Sequence, residues 1–208
     1  MTRTNTEGAQ FAKASMGVTA TTIAAILLGN ASVAQAETFD GPYVGVAAGY
    51  EDYSDDLSGA TYKAYAGWNI RLGENWVLAP EVSFGESTAD GTEVRDTATF
   101  TETAVVGIDR QIGANLRFGR LVSDNVLVYA AGGWERFEVD ATTTRRAKPC
   151  NNCTPTVQNF SFDEDLWTIG AGVEVALSEQ FTLRGAYTYA DGDAYHRHGL
   201  TAGLALQF

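Results

Sequence analysis

From residue 42 onward, apolar and polar positions alternate with a period of two, in segments broken by polar turn clusters. In 165–177, Trp167, Ile169, Ala171, Val173, Val175 and Leu177 share one face, and Thr168, Gly170, Gly172, Glu174 and Ala176 share the other. This is the period of a β-strand, whose side chains point to opposite faces in turn. The pattern predicts eight strands, at 42–52, 58–72, 76–87, 103–120, 126–139, 165–177, 181–190 and 197–208. Tight connections ("LGEN", "LVSDN", "LSEQ") alternate with longer ones, two of which ("ESTADGTEVRDTATFTE" and "DATTTRRAKPCNNCTPTVQNFSFDE") read as long loops. The expected fold is all-β, an antiparallel up-and-down chain of eight strands. No internal repeat or second domain is apparent.

The composition of the two faces sets their direction. In 103–120, Val106, Ile108, Ile112, Ala114, Leu116 and Phe118 oppose Asp109, Gln111, Gly113, Asn115 and Arg117. A face of glycine, alanine and scattered charges suits a narrow interior, because eight closed strands leave room only for side chains that fill the lumen. The apolar face then points to lipid, which makes the fold a transmembrane β-barrel. Arg110 and Arg120 stand ten residues apart on the outward face. At about 3.3 Å per residue and about 40° tilt they lie about 25 Å apart along the membrane normal, the height of an apolar band. Aromatic residues fall near both expected rims, with Trp76, Phe181 and Phe208 at the inner one and Trp134, Trp167, Tyr187 and Tyr189 at the outer.

Residues 1–36 read differently. Arg3 and Lys13 precede the apolar run "MGVTATTIAAILLG", and "AQA" follows at 34–36. This predicts a secretory signal cleaved before Glu37, with residues 37–208 as the barrel. The formal net charge of −12 argues against a nucleic-acid partner, since phosphate binding needs a basic surface. The only cysteines, Cys150 and Cys153, form a Cys-x-x-Cys in a polar, proline-flanked stretch. In an exported chain this reads as a small loop disulfide rather than free thiols or a redox pair, and no further ligands stand near to complete a zinc site.

Three segments carry a family resemblance: "GPYVGVAAGY", "ANLRFGRLVSDNVLVYAAGGW" and "HGLTAGLALQF". They are similar to the small eight-stranded outer-membrane β-barrel family, which includes outer membrane protein A transmembrane domains and porin-like surface antigens. The resemblance implies the outer membrane of a Gram-negative bacterium and contact with its lipids and lipopolysaccharide. It also implies biogenesis through periplasmic chaperones and the barrel-assembly machinery. Within it, Phe208, Leu206 and Leu204 of the last strand would be the assembly signal. The family is functionally mixed, so fold does not name function. No peptidoglycan-binding domain follows Phe208, so that role is not expected.

Parity places Lys63, Arg71, Glu81, Asp109, Arg117, Glu174 and Arg184 inside as a lumen charge network. Glu174 and Arg184 are equidistant from Glu179 in the "LSEQ" turn and should face each other. Such pairs would plug the lumen; a charge-lined narrow channel is the alternative. Arg110, His196 and His198 are expected at the outer rim against lipid head groups. Two histidines are too few for a firm metal site. Some small barrels modify lipid A with a lipid-facing histidine and a nearby serine, but no serine accompanies these histidines, so neither catalysis nor a cofactor is expected. The longer connections are acidic, with Asp52, Asp55, Asp56, Glu93, Asp96, Asp163, Glu164 and Asp165 against Arg95, Arg145, Arg146, Lys148 and Arg197. The expected role is a structural or surface-interaction protein whose extracellular partner the residues do not name.

Overall fold

The computed structural model describes residues 39–54, 57–149, 153–193 and 195–208. The expected signal peptide lies outside them, as do Asp55, Asp56 and Cys150. Among the described residues there are nine strands: β1 Gly41–Tyr53, β2 Ser58–Leu72, β3 Trp76–Ser87, β4 Asp90–Asp96, β5 Phe100–Ser123, β6 Val126–Ala147, β7 Thr156–Ala176, β8 Phe181–Gly192 and β9 His196–Gln207. All pair antiparallel in one sheet that closes on itself, β9 on β1 and β1 on β2. β4 is not a ninth stave. It continues the line of β3 along β5, where Glu86 faces Arg110 and Asp90 faces Gly107. The ring therefore has the eight strands that the alternation predicts.

Tight turns join β2–β3, β5–β6 and β7–β8. The first turns at Gly73, whose φ of 74° is the left-handed region that glycine enters without a Cβ penalty. At the ring's seam the Phe208 N–H donates to the Pro42 carbonyl at 3.0 Å, extending the β9–β1 pairing to the last residue. The outward face is an exposed apolar belt in which Val46, Val82, Leu116 and Leu200 are each more than half exposed. No described helix is long and apolar enough to cross a membrane, which says nothing of crossing by strands.

Two expectations need correction. The stretches read as long loops are largely strand. β5, β6 and β7 run 24, 22 and 21 residues, against 12 to 15 for the other five staves. Their β-branched and aromatic residues, as in "ATTT" and "TVQNFSF", favour a pleated surface, and the interspersed charges disguise them. These upper halves, with β4, form a four-stranded wall beyond the rim. Second, parity fails above residue 110 on β5. The register shifts between Ile108 and Gln111, so Asp109 and Arg110 together oppose one residue of β6, a β-bulge. Ile108 therefore turns inward and is buried, while Asp109 is exposed and is no lumen charge.

Candidate functional site

The lumen is filled in layers, beginning at the end with the tight turns. Phe39, Val77, Leu121 and Leu127 form an apolar plug there. Above it lies a quartet of two carboxylates and two guanidinium groups. Glu174 and Arg184 are direct cross-strand neighbours, and Arg184 Nε donates to Glu174 Oε1 at 2.5 Å. Arg184 Nη1 reaches Glu81 at 2.6 Å, Arg117 Nη1 reaches Glu174 at 2.5 Å, and Arg117 Nε stands 3.3 Å from Glu81. Glu174, Arg117 and Arg184 are buried. The quartet stands in a frame of rings: Tyr43 donates to Glu81 at 2.8 Å, and the Arg184 guanidinium lies 4.1 Å from the Tyr65 ring centre. Asn69 links the quartet to the closing strand, accepting from Arg117 at 3.3 Å and donating to Gln207 at 3.2 Å.

A polar cavity of about 100 Å³ follows, lined in part by Ser83, Asn115, Thr168, Thr188 and Thr201. Beyond it stands a second quartet. Arg197 grips Glu135 with both terminal nitrogens, at 2.7 and 2.8 Å. Lys63 reaches Glu51 at 3.0 Å and Glu135 at 3.3 Å. Gln111 and Tyr53 both donate to Glu51, at 2.8 and 2.9 Å. Tyr53 also begins the uppermost layer, an apolar cap with Leu57, Ala89, Ile108, Phe137, Val139, Leu166 and Ala190. Each quartet carries two negative and two positive groups. Buried charge is tolerable only when matched and hydrogen-bonded, and here it is matched twice over.

The structure thus brings Glu81, Arg117, Glu174 and Arg184 together and assigns Lys63 to the other quartet. Arg71 joins neither: it lies at the inner rim and donates to the Glu74 carbonyl at 3.1 Å. Sequence reasoning missed Glu51 and Glu135, and it assigned Arg197 to a loop, whereas Arg197 is fully buried in the lumen. The signal was available. Arg197 shares parity with Gly199, Thr201 and Gly203, Glu51 with Gly45, Ala47 and Gly49, and Glu135 with Ala131 and Gly133.

Outside the lumen, Arg110, His196 and His198 are exposed on the outward face. His198 Nδ1 lies 2.7 Å from the Tyr187 hydroxyl, and its ring packs 5.2 Å from Tyr189. Arg136 forms a two-point ion pair with Asp165, at 2.8 and 2.7 Å, beside Trp134. Leu204 and Leu206 continue the lipid-facing row of β9 toward Phe208. Cys153 is disulfide-bonded; Cys150 lies outside the described residues. In the upper wall Lys148 hydrogen-bonds Asp96 and holds its carboxyl below the usual aspartate range.

Comparison with known proteins agrees with this geometry. The 31 kDa outer-membrane immunogenic protein of Brucella melitensis is 23% identical over 184 residues, covering 77% of this chain and 75% of the relative. A major outer membrane protein from Thermus thermophilus matches 81% of this chain and all of its own at a TM-score of 0.55 and 14% identity. Neisserial surface protein A matches 81% of this chain and 98% of its own at a TM-score of 0.47 and 17% identity. The family model described as the outer membrane protein beta-barrel domain matches residues 21–208. A closed ring of eight staves, apolar outside and charge-paired within, is what that family's membrane location requires, and this chain belongs to it as a β-barrel protein of the Gram-negative outer membrane.

Proposed function

We propose that this barrel is a closed, non-enzymatic structural and surface-interaction protein. The observation that carries the reading is the layered lumen: two charge-balanced quartets, with an apolar plug below and an apolar cap above. An ion crossing it would have to part buried pairs and then pass layers of mainly apolar side chains, at a cost of several kcal/mol per ion. With the interior closed, interaction falls to the exterior. The outward Arg110, His196 and His198 meet the head groups of outer-membrane lipids and lipopolysaccharide, and the acidic upper wall faces the medium. Family resemblance supports Leu204, Leu206 and Phe208 as the signal for the assembly machinery.

Planar-bilayer recording of the refolded protein tests the closed lumen. We expect no steady conductance steps; regular steps would replace this reading with that of a narrow channel. Unchanged lipid A masses after overexpression are expected, and a new lipid A species would restore the enzyme reading.

A further inference from the structure

The upper wall ends in a strand edge that nothing described covers. β8 pairs with β7 only from Leu166 opposite Gly192, so among the described residues Thr156–Asp163 pairs on its β6 side alone. Which residues aim their backbone at the open side follows from the ends of the strand. The Ala176 N–H bonds to Asn125 on the β6 side, and the Leu177 N–H bonds to Phe181 on the β8 side. Backbone direction alternates along a strand, and the β6–β7 register runs without a shift from Thr156 to Val175. The N–H and C=O groups of Val157, Asn159, Ser161 and Asp163 therefore point away from β6 into the open. Every residue from 156 to 163 is exposed, and Val157, Phe160 and Phe162 are large apolar side chains among them. Native sheets blunt such edges with lysine, proline or a bulge. This segment, "TVQNFSFDED", has no lysine, proline or bulge, and its only charges are the acids Asp163, Glu164 and Asp165 at one end.

We infer that the β7 edge is a docking strand for an extended, basic segment of another protein, which adds to the wall as a further strand. This rests on the surface-interaction reading above. Charge and direction select the occupant. In a second copy in the same membrane, β7 runs the same way, so a β7–β7 pair would be parallel and would set Asp163 beside Asp163. The copy's β4 does run antiparallel to β7, but "DGTEVRD" has three acids and one base, against only acids on the β7 edge. Like charges directly opposite one another oppose pairing. A foreign strand with alternating apolar and basic residues meets both faces of the edge. Its apolar side chains lie beside Phe160 and Phe162, and its basic ones beside Ser161 and Asp163. Backbone bonds supply affinity and the alternation supplies selectivity.

The test uses the full-length protein in lipid nanodiscs, with an all-L peptide of alternating valine and lysine as the probe. A peptide of the same composition with alternating L and D residues, which cannot form this strand, is the control. Amide exchange is read residue by residue. We expect the L peptide to raise protection at Val157, Asn159, Ser161 and Asp163 by about tenfold, and to leave Gln158 and Phe160 unchanged. Ser161→Pro removes one outward N–H, spares the β6 ladder, and should abolish the gain. Asp163→Lys, which does not alter the backbone, should lose the lysine peptide and gain its glutamate counterpart. Equal protection by the L/D control, or none from either peptide, overturns strand addition. The closed-barrel reading is tested separately by conductance, so the two can fail apart.

Discussion

Replacing Arg184 by alanine removes one of the two guanidinium groups that contact both carboxylates of the lower quartet. Glu174 and Glu81 then share Arg117 alone, and the layer carries one uncompensated negative charge. Two unit charges 4 Å apart attract by about 4 kcal/mol at an effective dielectric of about 20. Breaking a buried pair from one side costs about 3–5 kcal/mol. The adjoining cavity moderates this by admitting water to Glu81 before Glu174, which is the more deeply buried carboxylate. Loss of the guanidinium from the Tyr65 face adds to the cost. Arg184→Ala should therefore lose about 3–5 kcal/mol. The double change with Glu174→Ala leaves Arg117 and Glu81 balanced and should recover about 1–3 kcal/mol as coupling. The assay is urea unfolding of refolded protein in micelles, followed by tryptophan fluorescence and heat-modifiable mobility. Simple addition of the two single losses would show that the quartet does not act as a unit.

Two further predictions follow. A chain lacking Phe208 should assemble poorly into membranes in vivo yet refold in micelles with little loss of stability; normal yields of heat-modifiable barrel in cells would count against the assembly signal. Gly67→Ala would put a Cβ 2.2 Å from the Tyr43 hydroxyl and push that ring off Glu81, so urea unfolding should report a loss of about 1–3 kcal/mol, and no loss would mean the rings adapt freely.

Within the membrane, the strands and their facing were legible because burial and lipid exposure select opposite residue types on alternate positions. The Glu174–Arg184 pair was legible for a further reason: a tight turn fixes register, and register fixes the partner. Glu81 and Arg117 share no turn of their own, and only the closed ring sets them at one height. Arg197 was misread because it follows His196 in a charged run, and charge suggested a loop where parity already pointed inward. The upper wall was hidden for a different reason. Beyond the rim both faces meet water, so polar residues occur on both and the period of two fades. The strands persist there on backbone pairing, β-propensity and cross-strand side-chain contacts such as Lys148 with Asp96 and Arg145 over Phe100.

The bulge in β5 is the one place where parity itself broke, and it yields a test. Between the pairs Ile108–Val139 and Gln111–Phe137, β5 supplies Asp109 and Arg110 where β6 supplies Glu138. One of the two is extra. Asp109 is exposed, so deleting it should leave Arg110 outward opposite Glu138, with Ile108 and Gln111 still inward. Alternation would then be regular across the site, the cap and the Glu51–Gln111 contact would survive, and the loss should stay within about 2 kcal/mol. Deleting Gly113 instead would turn one whole side of β5 over, putting Arg117 toward lipid and Leu116 into the quartet. A one-residue slip of that kind exchanges every lumen and lipid residue, and the barrel should not form. Refolding yield by heat-modifiable mobility separates the outcomes. If the Asp109 deletion fails as completely as the Gly113 deletion, the bulge is a bend that the wall requires, and not a spare residue tolerated at the rim.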